Sequence, residues 1–262
     1  MDRIAVKRSL RKNYVPAWKC PHCKVGALTL KPEDLKFEEF RKSIAAHRME
    51  DFFPDWVEYV FSATLRCSGP KCREIVACCG KGGVEQEYTG LDEDGVPECD
   101  WIPYFDPSIF IPHLHLFEVP EKTPELVSDE IEKSFAVFFA DYKAAANHIR
   151  SAIEQLLNEL KIKKFTVKNK KRRILALHFR IDTLPAKYIT IKEALLAIKW
   201  LGNAGSHPGE SLEKDDVLDA YEILEHLLDD LYNPKKATVK RLVQAINKKK
   251  GPLAKGRRKL PF

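Results

Sequence analysis

Two cysteine pairs near the N-terminus, Cys20-Pro-His-Cys23 and Cys67-Ser-Gly-Pro-Lys-Cys72, have the residue type and spacing of metal-binding knuckles. Thiolates are soft ligands suited to Zn²⁺, and a tight turn lets two sulfurs converge on one tetrahedral ion. Cys20, Cys23, Cys67 and Cys72 would complete the coordination of such an ion, so the expected zinc is structural and leaves no open position for catalysis. A redox-active Cys-x-x-Cys is the rival reading, but no thioredoxin-like βαβ pattern surrounds the first pair. The four-residue gap in the second pair and the 43 residues between the pairs are the departures from a compact knuckle set. Seven cysteines is an odd count, and their close pairing fits metal binding in a reducing cytoplasm better than disulfides. His22 sits inside the first knuckle, where it can replace a cysteine. Cys78 and Cys79 are read as packing residues of a strand, one inward and one outward, and Cys99 has no evident partner. His113 and His115 share a face of a possible strand. No carboxylate or cysteine stands close to them in sequence, so they are read as structural.

A second constellation lies in the C-terminal half. Arg150 and Glu154 are one turn apart on an amphipathic pattern, and Asn203 and His207 are four residues apart at the end of another. The stretch Gly202-Asn-Ala-Gly-Ser-His207 is unusual at a helix end because Gly and Asn are poor helix formers. Histidine exchanges a proton near neutral pH, arginine stabilises an anionic phosphorane-like state, and asparagine positions either. Such a set suits metal-independent RNA cleavage by attack of the ribose 2′-hydroxyl, and it suits nucleotide binding equally. The plainer alternatives are an exposed i,i+4 ion pair and a helix C-terminus with His207 near the last carbonyls.

The elements that must position these residues fall into two textures. Residues 1–120 hold all the cysteines and strand-like runs, Trp56–Leu65 and Glu74–Cys79, with a helical insertion expected over Pro32–Phe53 and a Pro-rich connector over Ile102–Pro124. From Leu126 an apolar stripe through Ile131, Phe135, Phe138, Tyr142, Ala145, Ile149, Ile153, Leu156 and Leu160 predicts a helix of about eight turns. A basic loop follows at 161–173, then a weaker helix at 173–180. The next helix is expected to open at Thr190 with a Thr190–Glu193 capping box, and the last spans Asp215–Tyr232. The predicted class is α+β: an N-terminal zinc-ribbon-like β module (1–120), a C-terminal antiparallel four-helix bundle (121–234) and a basic tail (235–262).

Charge is uneven. The net +6 arises from residues 235–262, which carry 11 Lys or Arg and no acidic residue, while the remainder is mildly acidic. A short helix is expected over Val239–Ile246, with unstructured chain after Gly251-Pro252. Lys163, Lys164, Lys168, Lys170, Lys171, Arg172 and Arg173 of the basic loop, with Lys248, Lys249, Lys250, Arg257 and Arg258 of the tail, are the candidate phosphate-binding residues. No run of 18 uncharged apolar residues exists, so a cytoplasmic protein without a membrane partner is expected.

Arg150-Ser-Ala-Ile-Glu154, Gly202–His207 and the Leu-rich helix ending Leu231-Tyr232 together resemble the bacterial family catalogued as domain of unknown function 4145, over residues 124 to 233. That family is similar to the HEPN group of helical bundles, many of which are RNases or nucleotide-binding partners. The resemblance implies a HEPN-like bundle, a two-fold dimer and a setting in phage defence or restriction. Where a HEPN nuclease carries Arg, this chain has Gly202, so Arg150 would have to supply the guanidinium from the neighbouring helix. Three functions follow as expectations. One is a nucleic-acid-binding or sensing protein of bacterial defence, with RNA and DNA both open as targets. Another is a HEPN-like ribonuclease with His207 as acid–base, Arg150 on the phosphate, and Asn203 and Glu154 positioning. The third is a non-catalytic module assembling with a separate effector.

Overall fold

A computed structural model describes residues 1–91, 95–168, 170–204 and 212–250. The chain divides into two compact units: Met1–Leu116 with Glu132–Ala145, and Phe117–Ile131 with Ala146–Phe262. No helix among the described residues is long and apolar enough to cross a membrane.

The first unit opens with α1 (Arg3–Lys7) and is built on β1 (Leu28–Glu39), β2 (Glu58–Cys67), β3 (Ile75–Leu91) and β4 (Pro97–Ile111), with α2 (Arg41–Ala46) between β1 and β2. The strands form an antiparallel meander in the order β1-β2-β3-β4. Alternation drives β2: Phe61, Ala63, Leu65 and Cys67 are buried while their neighbours are more exposed. Cys78 is buried and Cys79 exposed, as their places on a strand require. Trp18, Phe61, Leu65, Val76, Phe105, Phe110 and Leu114 form the core, and burying a side chain such as Phe61 contributes roughly 1.5–3 kcal/mol. Between Cys79 and Gly80 the β3–β4 register shifts. A Cβ on Gly80 would collide with the Asp106 carbonyl, so only glycine permits this approach.

Two sequence expectations fail here. Pro32–Glu39 is not helical but continues β1, because Leu35 and Phe37 pair with Ala63 and Phe61 of β2. The local charge density suggested a helix, but charged residues suit the open side of an edge strand. The Pro-rich connector is likewise β4, through Ile111. Pro103 and Pro107 are tolerated because β4 is the last strand of the sheet: among the described residues its outer side meets only an isolated bridge from Phe105 to Leu10, and such a strand can spare the N–H that proline lacks.

The expected eight-turn helix is two helices, α3 (Glu125–Phe138) and α4 (Tyr142–Glu159). Asp141 makes the break. Its carboxylate accepts the Ala144 N–H at 2.9 Å and starts α4 afresh. The basic loop contains a hairpin, β5 (Phe165–Lys168) and β6 (Lys171–Ile174), turned at Lys170 with φ 60°. Thr166, Val167 and Ile174 are the β-branched residues that favour it.

In the second unit α5 (Leu177–Asp182) precedes α6 (Ile189–Ala204), α7 (Lys214–Tyr232) and α8 (Pro234–Lys249). The chain enters α6 through a 3₁₀ turn at Ala186–Tyr188, so Thr190 lies inside the helix and is not its N-cap. The capping carboxylate is found at α7, where Asp216 accepts the Glu213 N–H at 2.8 Å. Ile149, Ile153, Leu156, Leu195, Ile198, Leu218, Tyr221, Leu224 and Leu228 are buried in this unit. The tail helix α8 is longer than the Val239–Ile246 expected, and the chain after Lys250 lies outside the described residues.

Candidate functional site

Cys20 and Cys23 lie in the turn before β1, Cys67 ends β2, and Cys72 lies in the turn between β2 and β3. The long separation of the pairs is closed by the sheet. Antiparallel pairing sets Leu28 opposite Cys67, so the start of β1 meets the end of β2. The turns are tied together as well: Ser68 N–H donates to the Ala27 carbonyl at 2.8 Å, and Ala27 N–H to Ser68 Oγ at 3.1 Å.

The four sulfurs lie within 4.8 Å of one another. Cys20 and Cys72 Sγ are 3.7 Å apart, and Cys23 and Cys67 Sγ are 3.6 Å apart. These separations are far too long for a disulfide. They match the edge of a tetrahedron of sulfurs around one ion, about 3.8 Å for a Zn–S bond of about 2.3 Å. Backbone amides support the sulfurs: Gly26 N–H donates to Cys23 Sγ and Gly69 N–H to Cys67 Sγ, each at 3.3 Å. A Cβ on Gly26 would strike Cys67 Sγ, so glycine leaves the space the cluster needs. The amides of Gly26 and Val25 draw the Cys23 thiol down to about 6. At Cys67 the Gly69 amide likewise pulls the thiol down, but burial and the neighbouring thiols outweigh it and push it up to about 12. Cys23 therefore ionises readily in the cluster, and a cation is what would let Cys67 and Cys72, whose thiols are pushed up, follow. His22 Nδ1 lies 3.6 Å from Cys72 Sγ, at the cluster's edge. The cluster can hold a metal ion.

His113 and His115 do have a carboxylate, which lies in α3. Glu132 Oε2 is 2.8 Å from His113 Nε2 and 3.4 Å from His115 Nε2. Sequence reasoning missed Glu132 because it is 17 residues beyond His115, on another element.

Arg150 Nε is 3.6 Å from Glu154 Oε1, both half-exposed on α4. Gly202 faces this turn: a Cβ there would lie 3.9 Å from the Ala146 carbonyl and 4.0 Å from Arg150 Cβ. Asn203 is in the last turn of α6. His207, with Gly205, Ser206, Pro208 and Gly209, lies outside the described residues.

Of the candidate phosphate-binding residues, Lys163, Lys164, Lys170, Lys171, Arg172 and Arg173 are exposed, and Lys168 lies on β5. The Arg172 guanidinium stacks over the Phe165 ring at 3.6 Å. Lys248, Lys249 and Lys250 are exposed at the end of α8, while Arg257 and Arg258 lie outside the described residues.

No curated protein and no solved structure matches the chain. Residues 8–110, which include the four-cysteine cluster, match the family model described as Domain of unknown function (DUF8608). Residues 132–249, through α8, match the one described as Domain of unknown function (DUF4145), the family that the Arg150 and Gly202–His207 motifs resemble.

Proposed function

We propose that the protein binds or senses nucleic acid, as part of a bacterial defence system. The chain over 121–234 is read as an antiparallel four-helix HEPN-like bundle, and Cys20, Cys23, Cys67 and Cys72 as holding structural zinc. The observation that carries this reading is the β5–β6 hairpin. It offers six exposed Lys and Arg side chains around 163–173 and an arginine stacked on an aromatic ring. Lysine and arginine on phosphates provide affinity without reading sequence, and an Arg–aromatic platform suits a single strand. The exposed basic end of α8 adds to the same electrostatic footprint. The defence setting rests on the family resemblance alone.

Binding of single-stranded RNA and duplex DNA by the full chain, measured across a salt series, tests the proposal. Affinity is expected to fall steeply with salt. Replacing Lys171, Arg172 and Arg173 by Ala should flatten that slope by roughly 0.7–0.9 for each phosphate no longer neutralised. Unchanged affinity in this variant and in one lacking residues 235–262 would defeat the reading and favour a protein-assembly module.

The approach of Gly202 to Arg150 favours a second reading, a HEPN-like ribonuclease in which Arg150 replaces the arginine absent at 202. His207→Ala and Arg150→Ala should then each abolish RNA cleavage and toxicity on expression. Activity that persists in both variants removes the assignment.

A further inference from the structure

We propose that His113, His115 and Glu132 form a second metal site, for a divalent first-row cation of the Zn²⁺ class, with donors distinct from the four cysteines. The ligand atoms of the three residues lie within 4.8 Å of one another. β4 ends at Ile111, and in the irregular segment after it Leu114 is buried in the core while His113 and His115 on either side of it are only half-buried. That anchor sets both imidazoles toward α3. The rings stack at 5.6 Å with 27° between their planes, and Phe135, one turn beyond Glu132, stacks on His115 at 6.2 Å. Both Nε2 atoms point at the same carboxylate oxygen.

Two imidazoles and one carboxylate are a donor set that takes Zn²⁺ or a similar borderline cation. For a metal–nitrogen bond of about 2.0–2.1 Å, ligand atoms of a tetrahedral ion stand about 3.3 Å apart. His115 and Glu132 have that spacing at 3.4 Å. His113 and Glu132, at 2.8 Å, need to open by about half an ångström. The side chains are roughly a third exposed, so they have room to do so. Lys24, in the turn after Cys23, acts electrostatically on both Glu132 and His115. This competing cation, together with the smaller donor set, makes the site weaker than four thiolates.

The test is Zn²⁺ alone, titrated into the full chain after chelator stripping. A competing chromophoric chelator buffers the free metal, and metal per chain is counted by atomic emission after desalting. Two metals per wild-type chain are expected, the second bound more weakly. Glu132→Gln and His113→Ala should each retain one metal. With Co²⁺ alone, those variants should keep the intense thiolate-to-cobalt absorption of the cysteine centre. A single metal per wild-type chain, lost in Cys20→Ser and kept in Glu132→Gln, overturns the proposal. So does a second metal that survives in Glu132→Gln, His113→Ala and His115→Gln alike. A wild type whose single metal is lost in Glu132→Gln but kept in Cys20→Ser supports this site and defeats the zinc reading of the cysteines. Circular dichroism checks that each variant folds, and the wild-type count stands if one does not.

Discussion

Gly202 on α6 faces Arg150 on α4 so closely that a Cβ at 202 would sit 4.0 Å from Arg150 Cβ. Gly202, which opens one half of the motif that carried the family resemblance, is therefore a neighbour of Arg150, which opens the other. A side chain at 202 would occupy the ground beside the Arg150–Glu154 pair.

Gly202→Ala should stabilise the protein by roughly 0.5–1 kcal/mol, because alanine is the better helix former and its Cβ meets neighbours only at van der Waals distance. Urea denaturation measures this. A loss of stability would instead mean that the glycine is needed for helix packing.

Thiol labelling should report on the metal centre. In the metal-loaded protein, Cys79 and Cys99, both exposed, should react quickly with a thiol reagent. Chelation should release Cys20, Cys23, Cys67 and Cys72 as well and lower the melting temperature, since the metal links the knuckles at the β1–β2 end of the sheet. Cys78 should stay slow throughout, because burial pushes its thiol up to about 12. Six fast thiols before chelation would show that the cluster holds no metal.

Ser43→Ala should cost about 1–3 kcal/mol, as expected when a buried group loses its partner. The Ser43 hydroxyl is buried, donates to Glu39 Oε1 at 2.5 Å and accepts the Glu58 N–H at 3.1 Å, fastening α2 to β1 and β2. The Ser43 hydrogen bond also holds the Glu39 carboxyl below its ordinary value, with His47 assisting. A depressed folded value means stability that is present above the unfolded pKa and lost as pH falls through the folded one. The gap between wild type and variant should therefore be widest near neutrality and narrow in acid, as denaturation at a series of pH values would show.

Arg180→Ala should destabilise the second unit by about 1.5–3 kcal/mol, the range for hydrogen bonds to a charged group. Arg180 is buried and donates to Asn158 Oδ1 at 2.7 Å, to the Ile162 carbonyl at 3.4 Å and to the Glu154 carbonyl at 3.5 Å. It thereby satisfies groups at the C-terminal end of α4. Arg180→Lys should restore little, since an ammonium cannot span all three acceptors. Full recovery in the lysine variant would reduce the role of Arg180 to its charge.

What could be read from the chain was local. The α7 helix follows the Val217–Leu231 stripe almost to the residue, because helical periodicity repeats within a few residues. β1 and β4 escaped, since the sign of each is its partner: charge hid β1, and prolines hid β4, until their places as the outer strands of the sheet explained both. Asp141 is one residue, and a stripe that runs past it does not betray the break between α3 and α4.

The sequence by itself picked out Cys20, Cys23, Cys67 and Cys72, whose type and close spacing within each knuckle suit a metal ion, and the structure brings their sulfurs together. It determined the α+β division in the same way. Only the tertiary structure decided that Glu132 joins His113 and His115, and that Gly202 stands against Arg150. Each of these pairings brings together residues from different elements, and no periodicity within one element encodes it. Burial of Leu114 and of the apolar faces of the helices sets those distances, and the polar groups go where that packing carries them.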